Sequence, residues 1–315
     1  MSHDLRFSRR EWLTASGALT ISACFQPLFA NAPPKRRTLL GFSLYGMKSL
    51  ALTDALAQCA AIGYQCVELP LLADWPADSE KFSAASQKEF RDGLEKHKLR
   101  LTALMENLPL LGDEAKHQSN LQRLKAAAEI SRTFSATDPP LVETVLGGKP
   151  AQWDELKQQF VDRLGDWAKV MAAAEVKLAV KAHISNAIQT PAQLAWVLHQ
   201  VNNPWLTAAY DESHYELQKL DMRDSMKLLA ERLSFVHVKD TRGEPGKFQF
   251  LLPGEGKTDY HQLFRLLAQV GYTGDVMVEV SGQLHSKPDY DPIAAAKKSY
   301  AALAPAMKHF GGDMP

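Results

Sequence analysis

Short apolar runs alternate with stretches of helical periodicity along most of the chain. Eight runs have the length and composition of buried strands; they cover residues 39–44, 66–69, 101–104, 141–146, 178–180, 206–210, 234–236 and 276–278. After each run, apolar residues recur every three or four positions; these stretches cover residues 50–62, 87–97, 120–134, 153–174, 191–201, 222–232, 260–270 and 292–307. This order predicts eight parallel strands, each returned to the sheet by a helix.

Eight strand–helix pairs are the number that closes a parallel sheet into a barrel. An open, doubly wound sheet is the alternative, but the chain has no Gly-x-Gly-x-x-Gly turn and no Walker-type phosphate loop. Helix-capping residues agree with the predicted bounds, since Thr190 precedes Pro191 at a helix start and Gly271 follows a helix end. The predicted fold class is α/β, a single (β/α)8 TIM barrel over residues 33–315.

The first 32 residues show, in order, the features of a twin-arginine signal peptide. Residues 8–14 read Ser-Arg-Arg-Glu-Trp-Leu-Thr, an interrupted apolar stretch covers residues 13–29, and residues 30–32 form the small-x-small pattern of a cleavage site. We therefore predict export to the periplasm and cleavage after Ala32. Lipidation at Cys24, within the lipobox-like residues 21–24, and an amphipathic first helix are the alternatives.

The composition argues against nucleic acid and against the membrane interior as partners. The chain has 36 basic and 36 acidic residues and no basic stripe interleaved with aromatic residues. After residue 32, no apolar run reaches the length of a membrane helix, so we predict no stable membrane span after processing. Cys59 and Cys66 are interpreted as core residues, with a disulfide between them as the alternative.

Four of the predicted strands end on polar side chains. They are, in chain order, Lys181, Asp211, His237 and Glu279. Because parallel strands joined by helices place their C-terminal ends on the same rim, these side chains are predicted to converge there. Asp, His and Glu together form a donor set for a divalent cation, whereas an ammonium group cannot bind one.

Residues 180–305 resemble the sugar phosphate isomerase/epimerase family, whose fold is the xylose isomerase-like TIM barrel. The matching segments are Tyr-Asp-Glu-Ser-His at 210–214, Val-His-Val-Lys-Asp at 236–240, Pro-Gly-Glu-Gly at 253–256 and Gly-Tyr-Thr-Gly-Asp at 271–275. Weaker matches extend back to residue 41 and include Val-Glu-Leu-Pro at 67–70. The resemblance, which extends to exported members with Lys on the fifth strand, implies an enzyme that isomerises or epimerises a sugar.

The same resemblance implies a divalent metal, Mn, Mg, Co or Zn, held by four carboxylate or histidine ligands from strands five to eight. Asp211, His237 and Glu279 match three of the four ligand positions. The fifth-strand ligand is normally Glu, followed two residues later by His; here the pair is Lys181 and His183. The predicted cofactor is therefore a divalent metal whose ligand set lacks one carboxylate.

Two ways of replacing the missing carboxylate are open. In the first, Glu143 on the fourth strand becomes a metal ligand. In the second, the ammonium group of Lys181 takes the place of the metal as a fixed positive charge. If the metal is kept, repulsion and burial lower the pKa of Lys181, and its neutral amine becomes a candidate base.

The predicted chemistry is removal of a proton from a carbon next to a sugar carbonyl, because a fixed cation stabilises the resulting enediolate. Glu279 and His214 are candidate bases. Loss of the fifth-strand Glu counts against epimerisation with one carboxylate on each face of the substrate. Two alternatives therefore stay open, a lyase or hydratase acting on 3-keto-sugars or glycosides, and a non-catalytic carbohydrate-binding barrel.

Five further polar residues are candidates for binding a small-molecule sugar or keto-sugar; they are His183, Lys239, Glu68, Glu106 and Arg242. Each has a structural alternative. His183 is otherwise a core histidine, Lys239 a partner of Asp240, and Arg242 a solvated loop residue. Glu68 and Glu106 end apolar runs on strands two and three and otherwise close the barrel rim. The sequence gives no indication of the oligomeric state.

Overall fold

Eight parallel strands close into a barrel in the computed structural model, which describes residues 37–311, and 37–308 with their side chains. The barrel strands are β1 Leu40–Ser43, β2 Cys66–Pro70, β3 Arg100–Met105, β4 Leu141–Val145, β5 Leu178–Lys181, β6 Leu206–Asp211, β7 Leu233–Val238 and β10 Val276–Val278. Neighbouring strands pair in chain order, and β10 closes the barrel by pairing in parallel with both β7 and β1. The predicted fold class is confirmed. The predicted signal peptide lies outside the described residues.

Helices surround the barrel in the described residues; eight of them overlap the predicted stretches, and two short ones, Glu212–Glu216 and Gly282–His285, were not predicted. They are α1 Leu52–Ile62, α2 Ala84–His97, α3 Glu114–Phe134, α4 Trp153–Ala174, α5 Pro191–Val201, α6 Glu212–Glu216, α7 Met222–Leu229, α8 Tyr260–Gln269, α9 Gly282–His285 and α10 Pro292–Gly311. Three short 3-10 turns cover Leu44–Met47, Pro150–Gln152 and Ala230–Arg232. The predicted cap at Thr190 forms a capping box with Gln193. Within residues 37–311, none of the helices combines the length and the apolar character of a membrane span.

Both faces of the strands are buried. Because side chains alternate along a strand, one face contacts the surrounding helices and the other lines the inside of the barrel. One face packs against the helices in the main core, where Phe160, Leu164 and Trp167 of α4 are fully buried. The other face points into the barrel and forms a floor of small and apolar side chains; these are Cys66, Ala103, Leu141, Ala179, Ala209, Phe235 and Met277. The next inward position on each strand lies above this floor, toward the C-terminal end of the barrel.

A two-stranded antiparallel hairpin, absent from the predictions, follows the seventh barrel strand. Its strands are β8 Asp240–Glu244 and β9 Lys247–Leu251. Pro245 and Gly246 form its turn, where Gly246 has a φ of +86°, a conformation that glycine adopts without steric cost. The hairpin carries Phe250 over the barrel opening, where its ring contacts two histidines.

The two cysteines of the described chain, Cys59 and Cys66, are buried and form no disulfide with each other. Cys59 lies in α1, where its thiol contacts the sulfur of Met47, and Cys66 begins β2 on the barrel floor. Their interpretation as core residues is confirmed, and the alternative disulfide is not formed.

Candidate active site

Six ionisable side chains form a layer directly above the barrel floor, and we call them the charged layer. They are Glu68 of β2, Glu143 of β4, Lys181 of β5, Asp211 of β6, His237 of β7 and Glu279 after β10. Each follows a floor residue by two positions, so the strand period that buries the floor also points these six side chains inward. The convergence of Lys181, Asp211, His237 and Glu279 predicted from the strand ends is therefore present.

Lys181 lies at the centre of the charged layer, with its side chain only 2% exposed. Its Nζ atom is 2.8 Å from His237 Nδ1 and 3.0 Å from Glu279 Oε2. The same nitrogen lies 3.4 Å from Glu143 Oε1 and 4.0 Å from Asp211 Oδ2. One ammonium group thus contacts side chains from four other strands or strand ends.

Lys239, directly after β7, supplies a second cation from the next inward position along the chain after His237. Its Nζ atom donates to Asp211 Oδ2 and, at 2.5 Å, to Glu279 Oε2. The ammonium group also lies 4.9 Å from the centre of the Phe250 ring, so the hairpin covers it. Asp240 accepts instead from the backbone of Gly254 and Gly256 and from a tyrosine hydroxyl. Lys239 is therefore part of the site rather than of a local ion pair with its neighbour.

Glu68 orients the imidazole of His237. Glu68 Oε2 lies 3.0 Å from His237 Nε2, and the other ring nitrogen faces Lys181. Because an ammonium group has no acceptor, His237 Nδ1 must accept from Lys181, which leaves the Nε2–H to donate to Glu68. The Glu68 side chain is fully buried. Glu68 was predicted to bind substrate, whereas the structure places it within the charged layer as the partner of His237.

The lysines set the ionisation of the carboxylates that they contact. Burial alone would raise the pKa of Glu279, but Lys181, Lys239 and His237 hold it well below its usual range. The pKa of Asp211 is likewise lowered against burial, chiefly by Lys239 and His214. Burial lowers the pKa of Lys181, but the surrounding carboxylates, Glu143 first, raise it overall. In this cluster Lys181 is therefore an ammonium group and not a neutral amine base, whereas the lowering of its pKa was predicted for a site that keeps its metal.

Glu143 is the buried carboxylate with the weakest compensation. Within the described part of the chain, neither of its side-chain oxygens accepts a hydrogen bond, although Lys181 lies nearby. Burial raises the pKa of Glu143 to about 7, against the opposing charge of Lys181. The Glu143 carboxyl is therefore a weaker acid than an exposed glutamic acid.

His214 lies behind Asp211, and His183 lies at the edge of the site. The Nε2 atom of His214 is 3.4 Å from Asp211 Oδ2, and the side chain is fully buried. Burial lowers the pKa of His214 to about 4, so its imidazole is neutral. Its ring centre is 4.2 Å from that of the half-buried His183. This position suits His214 for orienting Asp211 better than for contacting a substrate.

Glu106, predicted to bind substrate, is not brought to the site. Met105 occupies the inward position of β3, so the next residue points outward, toward α3. There Glu106 Oε1 and Oε2 lie 3.0 and 3.1 Å from Arg123 Nη2, and Ser79 donates to the same carboxylate. The Arg123 guanidinium also contacts Asp78. Glu106 therefore joins strand β3 to helix α3.

This buried ion pair predicts a large effect on stability. The Arg123→Met variant is expected to lose about 3–5 kcal/mol of unfolding free energy, because Glu106 remains buried without its counter-charge and Asp78 keeps only Lys81. The measurement is urea-induced unfolding. Arg132→Met is the matched control, since Arg132 pairs with an exposed carboxylate at 3.5 Å and should change stability by about 1 kcal/mol or less. Equal losses in the two variants would contradict the structural role of the buried pair.

Arg242, the remaining predicted substrate ligand, also lies away from the charged layer. It is exposed on strand β8, and its guanidinium donates to the side chain of Gln249 across the hairpin. The sequence was interpreted as a loop in this region. The structure instead forms a hairpin, and the hairpin directs Arg242 to solvent.

An aromatic group lies beside the charged layer. Tyr45 and Trp75 stack with ring centres 4.9 Å apart, and His285 packs edge-on against Tyr45 at 4.5 Å. Burial raises the pKa of Tyr45, and the charge of Glu279 adds to this rise, which places the phenol close to the layer. Both residues follow the C-terminal ends of strands, Trp75 in the loop after β2 and Tyr45 two residues after the end of β1, and this position is the sequence signal that could have indicated them.

Asp211, His237 and Glu279 have the donor atoms of a divalent-cation site, and one atom from each lies within 4.8 Å of the others. Glu143, predicted as the replacement ligand, is outside this set. Lys181 Nζ already occupies the coordination side of His237 and Glu279. At an effective dielectric constant of about 20, a unit charge about 4 Å from a divalent cation repels it by about 8 kcal/mol. The side chains as arranged therefore fit an ammonium group and do not fit a metal.

Comparisons with known proteins agree with this architecture. Residues 56–305 match the family described as xylose isomerase-like TIM barrel. The chain is 28% identical, over 146 residues, to L-ribulose-5-phosphate 3-epimerase UlaE of Escherichia coli O157:H7, a match that covers 46% of this chain and 49% of the relative. The chain thus spans about half the length of the curated relatives that it matches.

Two solved structures show the same fold. The IOLI protein with a bound zinc atom has a TM-score of 0.73 at 19% identity, covering 88% of this chain and 100% of its own. The 3-keto-D-glucoside 4-epimerase YcjR from E. coli has a TM-score of 0.67 at 16% identity, covering 85% of this chain and 100% of its own. With the family match over most of the barrel, these findings show that the chain belongs to the xylose isomerase-like TIM barrel family.

Proposed function

We propose that the protein is a sugar epimerase or isomerase that removes a proton from a carbon next to a carbonyl group. The observation that carries this proposal is the position of Glu279. Its side chain is 12% exposed, whereas the other three carboxylates of the charged layer are fully buried. The same carboxylate lies 3.0 Å from Lys181 Nζ and 2.5 Å from Lys239 Nζ. A reachable base thus lies beside two fixed cations, as enolate chemistry requires.

The two lysines connect substrate binding to the strength of the base. They hold Glu279 as a carboxylate in the free protein, because they lower its pKa. When a substrate oxygen accepts a hydrogen bond from Lys239, the interaction between Lys239 and Glu279 weakens. The proton affinity of the Glu279 carboxylate therefore rises. When the proton moves from carbon to Glu279, the electron pair moves to the carbonyl oxygen, and the enediolate is stabilised by the nearby ammonium groups.

The substrate class that this site favours is an unphosphorylated sugar or keto-sugar. Tyr45 and Trp75 offer flat apolar faces for a sugar ring beside the charged layer. Arg242, whose guanidinium could bind a phosphate group, points to solvent. The matched relative is named for a phosphorylated ketose, and the similar solved structure for a 3-keto-glucoside. The orientation of Arg242 supports the second kind of substrate.

Elimination from a 3-keto-sugar or glycoside is the second candidate. It starts with the same proton removal, but it needs no second base on the opposite face of the substrate. Within the charged layer, Glu279 is the one carboxylate with solvent access, which favours a reaction with a single carboxylate base.

We also propose that the protein acts in the periplasm. The twin-arginine pattern at residues 8–14 and the small-x-small pattern at residues 30–32 support this location. Phosphorylated sugars are scarce outside the cytoplasm, so this location and the substrate class support each other.

Hydrogen exchange in deuterated water tests the proposed reaction. The purified protein is incubated with a panel of ketoses, aldoses and 3-keto-glycosides, and proton NMR follows the carbon-bound hydrogens next to the carbonyl. We expect deuterium to enter one substrate, together with formation of its epimer or isomer. An unsaturated product would favour elimination instead. Binding of a sugar with no exchange across the panel would leave a carbohydrate-binding barrel and overturn the proposal.

A further inference from the structure

We propose that Lys181 is the resident cation of this barrel and that the site takes no divalent metal. This inference deepens the proposed function, because it names the positive charge that holds Glu279 and His237 in place. Its measurement, however, needs no substrate. The donor set of Asp211, His237 and Glu279 would otherwise be read as a metal site.

The first support is the contact geometry of the ammonium group. Lys181 Nζ is hydrogen-bonded to His237 Nδ1 at 2.8 Å and to Glu279 Oε2 at 3.0 Å. These are two of the three atoms that a metal would need. Glu143 Oε1 at 3.4 Å and Asp211 Oδ2 at 4.0 Å complete the surroundings of the nitrogen. The ammonium group therefore lies between the side chains that would bind a metal.

The second support is the balance of charge in the layer. Glu68, Glu143 and Asp211 are fully buried, and Glu279 nearly so. Buried carboxylates require opposite charges or hydrogen-bond donors at short range. Lys181 contacts three of them directly, and through His237 it also connects to Glu68. A lysine turned out of the layer to admit a metal would leave Glu143 without its nearest cation.

The third support is the path of the side chain. Lys181 ends β5 at an inward position, two residues after the floor residue Ala179, and its side chain is only 2% exposed. The strand fixes the direction of the Lys181 side chain, because a shift of one residue along the strand would point that side chain at the surrounding helices. The β5 position that carries a metal-binding carboxylate in the family thus holds a built-in cation in this chain.

Metal analysis of the parent protein and of two variants tests the inference. The parent is purified without chelator, and its Mn, Co, Zn and Mg contents are measured by mass spectrometry, followed by calorimetric titration with Mn²⁺. We expect well below one metal ion per chain and no saturable binding of Mn²⁺. The Lys181→Glu variant adds a carboxylate as a fourth ligand beside Asp211, His237 and Glu279, and it is expected to bind Mn²⁺ at least about 100-fold more tightly than the parent. Lys181→Met, the matched control, removes the charge without adding a ligand and should bind more weakly than Lys181→Glu.

Two results would overturn the inference. One is a parent protein that carries a stoichiometric metal which Asp211→Ala removes; this result needs no Lys181 variant to fold. The other is a folded Lys181→Glu variant whose Mn²⁺ affinity equals that of the parent, because Lys181 would then not be what excludes the metal. Neither result bears on hydrogen exchange, so failure of this inference is distinguishable from failure of the proposed reaction.

Discussion

Replacing Glu279 with glutamine is expected to slow turnover and hydrogen exchange by about 10²–10⁴-fold. Glu279 is the carboxylate of the charged layer that a substrate can reach, and the amide that replaces it cannot accept a proton from carbon. The amide oxygen still accepts hydrogen bonds from Lys181 and Lys239, so the side chains around it stay in place. The readouts are kcat and the rate of deuterium entry into the substrate, both measured at saturating substrate.

The matched control is Glu231→Gln, the same chemical change at an exposed residue just before strand β7, at the opposite end of the barrel from the charged layer. This variant should retain the parent rate. A Glu279→Gln variant that is folded and exchanges hydrogen at the parent rate would show that another group is the base.

The positions of the charged layer were predictable because strand geometry is simple. A parallel barrel places strand ends on one rim, and a period of two residues decides which side chains point inward. Asp211, His237 and Glu279 therefore meet as the sequence predicts, although 26 and 42 residues separate them along the chain. The bounds of β5 and β6 and of helices α4 and α5 also match the pattern of apolar positions.

The prediction that Glu106 points into the barrel was wrong because its position along the strand differs by one residue from an inward position. It ends an apolar run, as Glu68 does, but β3 continues through Met105, so the carboxylate takes the outward position. Its partner Arg123 lies 17 residues away on α3, and nothing in either local pattern connects the two. The end of an apolar run locates the end of a strand to within a residue or two. Whether a side chain points inward or outward depends on its exact position along the strand.

The contacts within the layer were beyond prediction from the pattern. Glu68 and His237 are separated by 169 residues, and Lys181 and Glu279 by 98. Their pairing depends on strand order, on stagger around the barrel, and on the competition of every donor and acceptor in one enclosed volume. The sequence therefore showed that Lys181 differs from the family pattern. The structure was needed to show that its ammonium group lies between the predicted ligands.

Removing the ammonium group of Lys181 should destabilise the fold. The Lys181→Met variant is expected to lose about 3–5 kcal/mol of unfolding free energy at neutral pH, because Glu143, Glu279 and Asp211 lose a buried counter-charge. Urea-induced unfolding measures this loss. Lys177→Met, the same substitution at an exposed position on the same approach to β5, should stay within about 0.5 kcal/mol of the parent. A Lys181→Met midpoint equal to that of the parent would contradict a structural ion cluster.

The pH dependence of this loss identifies the groups responsible. The pKa of Glu143 in the folded parent is about 7, above its usual value, and loss of Lys181 raises it further. A carboxyl group whose pKa is raised by folding lowers the unfolding free energy once the pH rises above its pKa in the unfolded chain. It has no such effect at low pH, where the group is protonated in both states. The loss in Lys181→Met should therefore shrink as the pH falls from about 7.5 toward 5. Adding Glu143→Gln to Lys181→Met should recover part of the loss at neutral pH and less at low pH. A loss that is independent of pH, or a double variant no more stable than Lys181→Met, would mean that packing of the lysine side chain, and not its charge, stabilises the barrel.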